Sequence, residues 1–241
     1  MTQKHKHIAY NKTEGKDANI IFCGGFRSDM NGSKAVFLDE ICRELGFGLL
    51  RFDYSGHGES DGKFEDYTIS DWRKDALLAF DELTSGEQII IGSSMGGWLG
   101  MQIAIERPER VKALIGIAAA PDFTDDMVWN KLDDFGRQKL QRDGFIIVEN
   151  CVVGEEPYHI TIRLIEDGRN NFLLNAPINI NCPVRLLHGM LDEDVPYQIA
   201  SKIAEKITGN NVEIHLVKNA THRMSEPNEL QLLQETLLKL V

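Results

Sequence analysis

Short runs of consecutive apolar residues alternate along this chain with longer segments in which apolar residues recur every three or four positions. The short runs predict strands that are buried on both faces, because a strand with one wet face alternates apolar and polar residues. Six strands are expected, at Ile20–Cys23, Gly48–Phe52, Gln88–Gly92, Val111–Ala118, Val184–His188 and Val212–Val217. The longer segments predict helices at Gly32–Leu45, Thr68–Leu83, Ser94–Arg107, Pro196–Ile207 and Pro227–Leu240.

This alternation predicts an α/β fold, with a mostly parallel sheet and helices on both of its faces. We expect residues 1–241 to form a single domain, because a chain of this length buries one sizeable core and no stretch has the composition of a linker. Sheets of this kind bind their ligands beyond the carboxyl ends of the strands. Candidate chemistry is therefore expected in the loops that follow the strands.

Residues 122–181 interrupt the alternation of strands and helices. They contain a helical pattern at 122–143, two short runs that predict a hairpin around Gly154, and a second helical pattern at 162–174. Because the preceding strand ends on the expected ligand-binding side, the insertion predicts a lid over the site, and an ornamental surface insertion is the alternative. Four apolar side chains are expected to set the preferred acyl-chain length: Met127, Trp129, Phe135 and Phe145.

Charge and cysteine content narrow the class of protein. The formal net charge is -11, and an acidic surface repels phosphate backbones, so a nucleic-acid partner is not expected. No apolar run reaches the roughly 20 residues of a membrane-spanning helix. The N-terminus has the features of neither a secretory signal nor a transit peptide, so a cytoplasmic location is expected. Reduced thiols are expected at the four widely spaced cysteines, Cys23, Cys42, Cys151 and Cys182.

The stretch from Gly92 to Gly96 contains the pattern G-x-S-x-G between a predicted strand and a predicted helix. In that context the pattern predicts a nucleophile elbow, a sharp turn that leaves the serine hydroxyl exposed. Glycine is needed at both ends of the motif because a Cβ there would collide across the turn. Ser94 is therefore the predicted nucleophile, and a tight turn with a structural serine is the alternative.

A serine hydroxyl is a weak nucleophile and needs a base. In folds of this kind the catalytic partners follow the serine in the order acid, then histidine. Of the seven histidines, His222 is the one that follows the last predicted strand, on a loop at the expected side of the sheet. The acid is expected in the loop after the fifth strand, where Asp192 is favoured to orient the histidine. Glu193 and Asp194 are rivals, and Asp194 is also a candidate cap for the next helix.

The tetrahedral intermediate of such a reaction needs an oxyanion hole. One donor is expected to be the backbone N–H of Met95, directly after the nucleophile. The other is expected in the loop after the first strand, where two glycines precede Phe26 and let its N–H approach the substrate. No step of this chemistry calls for a metal or a cofactor.

Longer stretches of the chain are more specific than the serine motif alone. They are Asp29–Gly32, Arg51–Gly56, Trp72–Asp75, Gly92–Trp98, Cys182–Met190 and His222–Met224. With them, nearly the whole chain resembles the α/β-hydrolase superfamily and, within it, the family of mitochondrial palmitoyl-protein thioesterases, also described as mycophenolic acid acyl-glucuronide esterases, and their bacterial relatives. The resemblance does not extend to the insertion.

The resemblance implies a cofactor-free hydrolase that cleaves esters or thioesters of acyl groups, carried by small molecules or by acylated proteins. It also implies that Ser94, Asp192 and His222 occupy the positions of the catalytic triad. Two other hypotheses remain open at this point: a ligand-binding protein of the same fold with little turnover, and a peptidase or carbon–carbon bond hydrolase. A dehalogenase or epoxide hydrolase would need a carboxylate in place of the elbow serine.

Overall fold

The structure is a computed structural model that describes residues 2–16, 18–148 and 157–241. The strands are β1 Gln3–His5, β2 Ile8–Thr13, β3 Asn19–Cys23, β4 Gly48–Phe52, β5 Gln88–Ser93, β6 Val111–Ile117, β7 Phe145–Val148, β8 Tyr158–Thr161, β9 Val184–Gly189 and β10 Val212–Val217. The α-helices are α1 Ser33–Leu45, α2 Ile69–Leu83, α3 Met95–Glu106, α4 Asp134–Asp143, α5 Ile162–Arg169, α6 Gln198–Lys206 and α7 Pro227–Leu238.

Eight strands form one sheet in the order β1-β2-β4-β3-β5-β6-β9-β10, and β7 and β8 form a separate antiparallel pair. All neighbouring strands from β4 to β10 are parallel, whereas β2 runs antiparallel to both β1 and β4. This arrangement confirms the predicted α/β fold with its mostly parallel sheet.

The core consists of two apolar layers, one on each face of the sheet. Consecutive residues of β5 point to opposite layers, with Ile89 and Ile91 in one and Ile90 in the other. Helices α1 and α7 pack in the first layer, and α2, α3 and α6 pack in the second. Helices α1 and α3 follow the neighbouring strands β3 and β5 but lie on opposite faces, which opens a crevice at the carboxyl ends of these strands.

The N-terminal residues form strands that the sequence pattern did not predict. β2 pairs with β4 along Tyr10–Thr13, and β1 pairs with β2. His7 Nε2 also lies 2.6 Å from a carboxylate oxygen of the buried Asp75. These strands have a mixed polar and apolar composition, so they lack the continuous apolar run that marks the central strands.

Residues 122–143 do not form the single helix that their pattern predicts. A π-helical turn at Thr124–Val128 is followed by a 3-10 turn at Trp129–Lys131, and only then does α4 begin. Asp133 caps α4, because its carboxylate accepts a hydrogen bond from the N–H of Gly136 at 2.7 Å. That local bond starts a new helix and breaks the helical pattern at this point.

The second helix of the insertion is also shorter than expected, since α5 ends at Arg169. The backbone N–H groups of Leu173 and Leu174 turn instead to the carboxylate of Asp122, at 2.8 and 2.9 Å. The predicted turn around Gly154 lies outside the described residues. Within the described ranges, no helix combines the length and the apolar character that crossing a bilayer requires.

Cys23, Cys42 and Cys182 are free cysteines. Burial raises the pKa of both the Cys23 and the Cys42 thiol to about 12, so neither is a thiolate at neutral pH. Cys151 lies outside the described residues. The thiols of Cys23 and Cys42 therefore act as small apolar groups of the core.

Candidate active site

Ser94 sits in the turn between β5 and α3, with φ 53° and ψ -117°. An L-residue adopts such a positive φ at a cost on the order of 1–3 kcal/mol, and only where the surroundings enforce it. Two glycines make the turn possible. A Cβ on Gly92 would lie 2.3 Å from the carbonyl oxygen of Gly96, and a Cβ on Gly96 would lie 2.0 Å from that of Cys23. The geometry matches that of a nucleophile elbow.

Three loops bring Ser94, His222 and Asp192 into one hydrogen-bonded line. His222 Nε2 lies 3.1 Å from Ser94 Oγ, and His222 Nδ1 lies 2.8 Å from Asp192 Oδ2. The carboxylate only accepts, so Nδ1 carries the hydrogen and Nε2 is free to accept the proton of the serine hydroxyl. The arrangement is therefore capable of transferring a proton from Ser94 to His222.

Asp192 is buried and bonds to His222, whereas its rivals Glu193 and Asp194 are exposed. Its Oδ1 accepts the backbone N–H groups of Asp194 and Val195, at 3.0 and 2.8 Å. The helix for which Asp194 was a candidate cap begins instead after Tyr197, with no side-chain cap. Burial on its own would raise the pKa of Asp192, but hydrogen bonds from His188 and His222 outweigh it and hold that pKa well below its usual range.

The loop after β3 packs directly against the serine. A Cβ on Gly25 would lie 3.4 Å from the carbonyl oxygen of Ser93 and 3.5 Å from the Cβ of Ser94. The N–H of Phe26 has no acceptor within the part of the chain that the structure describes. Met95 is the first residue of α3, so its N–H has no acceptor inside the helix and lies at the positive end of the helix dipole. Both predicted oxyanion donors are thus available to a developing negative charge.

His57, in the loop after β4, supports the loop after β3. Its Nε2 accepts the backbone N–H of Arg27 at 3.1 Å, and Arg27 has a positive φ of 56°. Burial lowers the pKa of His57 to about 4, so the imidazole is neutral and remains an acceptor at neutral pH. Three rings surround it at 5.1–5.6 Å, from Tyr54, Phe64 and Trp72.

A cavity of about 590 Å³ opens above Ser94 and His222. On one side its wall is the loop after β3, where the Phe26 ring packs 5.2 Å from the ring of Phe123. On the other side the insertion contributes apolar side chains, namely Phe123, Met127, Val128, Tyr158 and Ile160. Polar residues such as Asp29 and Lys131 line the cavity as well, so the reacting hydroxyl is reached through a space of mixed polar and apolar character.

Of the four side chains expected to face the acyl group, the structure places one, Met127, on the cavity wall. Phe135 is 72% exposed, and Phe145 stacks on His159 with ring centroids 4.4 Å apart. Trp129 packs instead against two guanidinium groups, those of Arg137 and Arg169, at 5.6 and 4.9 Å from its ring. The helical pattern at 122–143 predicts Met127, Trp129 and Phe135 on one stripe, and the break before α4 separates them.

Asp192, Asp194 and His222 each offer a metal-ligating atom, and these atoms lie within 4.8 Å of one another. His222 Nδ1 and Asp192 Oδ2 are already bonded to each other, and His222 Nε2 faces the serine. A metal ion bound here would compete with the hydrogen bonds that link Asp192, His222 and Ser94. Those hydrogen bonds explain why Asp192 and His222 lie together.

A family model described as alpha/beta hydrolase fold matches residues 19–155. The chain belongs to the α/β-hydrolase fold family. Among curated relatives, it is 41% identical to the human mitochondrial palmitoyl-protein thioesterase ABHD10, over 98% of this chain and 76% of the relative. The solved structure of mouse alpha/beta hydrolase domain-containing protein 10 superimposes with a TM-score of 0.91, at 39% identity, covering 100% of this chain and 97% of that one. A putative hydrolase from Agrobacterium vitis S4 gives 0.92, at 36% identity and the same coverage.

These matches confirm the resemblance stated from the sequence, and the predicted class of enzyme agrees with the names of the relatives. The expected cytoplasmic location is wrong, because the relatives from human, orangutan and cattle are named as mitochondrial proteins and point to mitochondria. The expectation rested on the pattern of the N-terminal residues. Cysteine usage separates oxidising from reducing compartments but does not distinguish among the reducing ones.

Proposed function

We propose that this chain hydrolyses thioesters and esters of acyl groups through an acyl-enzyme intermediate. Ser94 is the nucleophile, His222 the general base and Asp192 the acid that orients it. The observation that carries the proposal is the hydrogen-bonded line from Asp192 through His222 to Ser94 at the floor of a cavity to which the insertion contributes apolar side chains. The thioesterase names of the relatives favour thioesters as the substrate class.

Each step of the reaction has a group in place. As Ser94 Oγ bonds to the carbonyl carbon, its proton passes to His222 Nε2, and the N–H groups of Phe26 and Met95 stabilise the oxyanion. The thiol or alcohol then leaves with the proton held by His222. Water then gives a proton to His222 as it attacks the acyl carbon. The bond from that carbon to Ser94 Oγ breaks as His222 returns the proton to Oγ, and the carboxylic acid is released.

Residues 122–181 are proposed to act as a lid within a single domain of residues 1–241. The support is that their apolar side chains stand on the cavity wall above the serine. The carboxylate of Asp122, at the start of the insertion, also binds the N–H groups of Leu173 and Leu174 near its end. This bond ties the two ends of the insertion together at its base. An acyl chain entering the cavity would contact the insertion while its carbonyl group reacts below.

The proposal is tested with a fluorophosphonate probe followed by intact-mass measurement, and with a panel of acyl thioesters and p-nitrophenyl esters. We expect one label on the wild-type chain, none on Ser94→Ala, and turnover of the acyl substrates. A wild-type chain that neither labels nor turns over any substrate would be a ligand-binding protein. A chain that labels but cleaves only peptides would be a peptidase.

A further inference from the structure

A second histidine touches the proposed triad acid, and the reaction as described does not use it. His188 lies near the end of β9 and is 1% exposed. Its Nε2 lies 3.1 Å from Asp192 Oδ2 and 3.0 Å from the carbonyl oxygen of Val195. Both of these oxygens are acceptors, so Nε2 must carry the hydrogen and share it between them.

With this bond, every acceptor position of the Asp192 carboxylate is filled. Oδ1 takes two backbone N–H groups and Oδ2 takes the N–H groups of His188 and His222. An ionised carboxylate accepts about four hydrogen bonds, so no position is left for a fifth. The carboxylate side chain is also 0% exposed, so water does not substitute for a lost partner. Hydrogen bonds to both of its oxygens therefore fix the orientation of the carboxylate.

We propose that His188 is a positioning residue for the hydrolytic reaction, whose Nε2–H orients the Asp192 carboxylate toward His222 and neutralises part of its charge. The inference rests on the proposed function, because it assumes that Asp192 serves the reaction. His222 must accept a proton from Ser94 and later release it. A carboxylate whose charge is shared with His188 orients His222 Nδ1–H without binding the protonated form of His222 too strongly.

The surroundings of His188 leave Asp192 as its charged partner. Two other titratable groups lie nearby: His222 bonds to the same carboxylate oxygen as His188, and Asp194 has a carboxylate oxygen within 4.8 Å of Asp192 and His222. The side chain of Asp194 lines the cavity, and its carbonyl oxygen lies 3.5 Å from the Nζ of Lys131. Val195 contributes only its backbone, which binds Asp192 through its N–H and His188 through its carbonyl. His188 therefore also holds the loop between β9 and α6 closed around the acid.

The test compares His188→Leu, which keeps the volume and removes the donor, with His188→Gln, whose amide N–H reaches nearly as far. We expect His188→Leu to lower kcat about 10–100-fold with KM nearly unchanged, the range expected for one hydrogen bond to a charged group. We also expect the acid limb of its pH–kcat/KM profile to move to higher pH, because the unshared carboxylate charge holds protonated His222 more strongly. His188→Gln should restore most of both properties.

Two controls separate positioning from packing. Leu186→Val alters a buried residue two positions earlier on the same strand, and should lower Tm without moving the pH profile. In an Asp192→Asn background, His188→Leu should cost little further activity, because its target is already altered. If His188→Leu does not fold, His188→Asn serves in its place, since its shorter amide does not reach Oδ2.

The inference is overturned if the donor-less variant keeps the wild-type kcat and pH profile. It is also overturned if His188→Gln loses as much activity as His188→Leu, or if the losses add fully in the Asp192→Asn background. Labelling of the wild-type chain by the fluorophosphonate probe is read separately. A wild-type chain that does not label refutes the proposed function, whereas a labelled chain with an unaffected His188→Leu variant refutes only the role of His188.

Discussion

The cavity above Ser94 has two walls that are built in different ways. The first is backbone at the ends of the strands, where Gly25, Gly92 and Gly96 allow contacts with neighbouring main chain. A Cβ on Gly92 or Gly96 would collide with neighbouring main chain, whereas a Cβ on Gly25 would lie between the loop after β3 and Ser94. The second wall consists of side chains of the insertion, such as Met127 and Tyr158, carried on short turns and a two-stranded sheet.

The two walls are expected to govern different properties: the backbone wall governs the rate of the chemical step, and the side-chain wall governs which acyl group is preferred. A change in the backbone wall moves the groups that react, and a difference of about 1 Å there is expected to cost about 10²-fold in rate. A change in the side-chain wall alters the space available to the acyl group and leaves the reacting groups in place. The two walls therefore predict two distinct patterns of kinetic effect.

The largest effect is expected from Ser94→Ala, which removes the nucleophile from the backbone wall. By analogy with other serine triads, kcat should fall by about 10⁶-fold, with a small residue from the oxyanion hole and binding. The Tm should not fall, because the change removes one partly buried hydroxyl. Activity is measured on the thioester panel and folding by thermal melting. If most activity persisted on every substrate, Ser94 would not be the nucleophile.

Asp192→Asn should lower kcat by roughly 10⁴-fold, because an amide favours the wrong tautomer of His222. Asp194→Asn is the matched control and should do much less, since its side chain forms no bond to His222 in the described structure. Steady-state kinetics of the two variants make the comparison. A larger loss for Asp194→Asn would make Asp194 the acid.

The buried imidazole behind the backbone wall should make folding stability depend on pH. The pKa of His57 is about 4 in the folded chain, against an ordinary value of 6.5, because burial disfavours the charged form. Between these values the unfolded chain binds more protons, so the free energy of unfolding decreases as pH falls from 6.5 to about 4. The difference between the two pKa values corresponds to a loss of roughly 3 kcal/mol in the free energy of unfolding.

Urea denaturation at a series of pH values measures this loss. His57→Gln keeps an acceptor for the Arg27 N–H but does not titrate, so its stability should vary less over the same range. His215→Gln, on β10 and partly exposed, is the control and should vary as the wild type does. An equal slope for His57→Gln and the wild type would contradict the assignment.

The smallest effect is expected from the side-chain wall. Met127→Ala or Val128→Ala enlarges the acyl space, and should shift kcat/KM among C2 to C16 substrates by about 10-fold. The rate of labelling by a small organophosphorus probe should stay the same, because the relay is untouched. Phe135→Ala is the matched control on the exposed side of the insertion. A uniform loss of kcat/KM at all chain lengths, or an equal shift in Phe135→Ala, would show that the lid does not select the acyl-chain length.

The elements that could be predicted from the sequence are those whose residues face one environment along their length. The run Ile89–Ile91 is apolar on both faces and indicates a central strand, and a glycine motif directly after it locates the turn at Ser94. The order of the candidate acid and histidine along the chain indicated the loops that converge on this turn. These patterns are local in the sequence, so they can be recognised without knowledge of the tertiary contacts.

What was missed depends on contacts between distant residues. Leu173 and Leu174 leave the helical pattern because Asp122, far away in sequence, binds their N–H groups. His188 ends a predicted strand, and nothing in the sequence shows that the following loop folds back over it. The supporting role of His57 likewise requires the loop after β3 to lie beside the loop after β4. No pattern of hydrophobic spacing encodes such contacts.

The borders of the main sheet bear on how the protein behaves at high concentration. One border is β1, only three residues long, whose Lys4 forms an ion pair with Asp61 and whose His5 Nε2 lies 2.7 Å from a carboxylate oxygen of Glu82. The other is β10, which carries Glu213 beside Arg185. Short or charged border strands offer a poor template for strands of another molecule. We therefore expect the sheet to resist edge-to-edge aggregation, even though its central strands are among the most apolar segments of the chain.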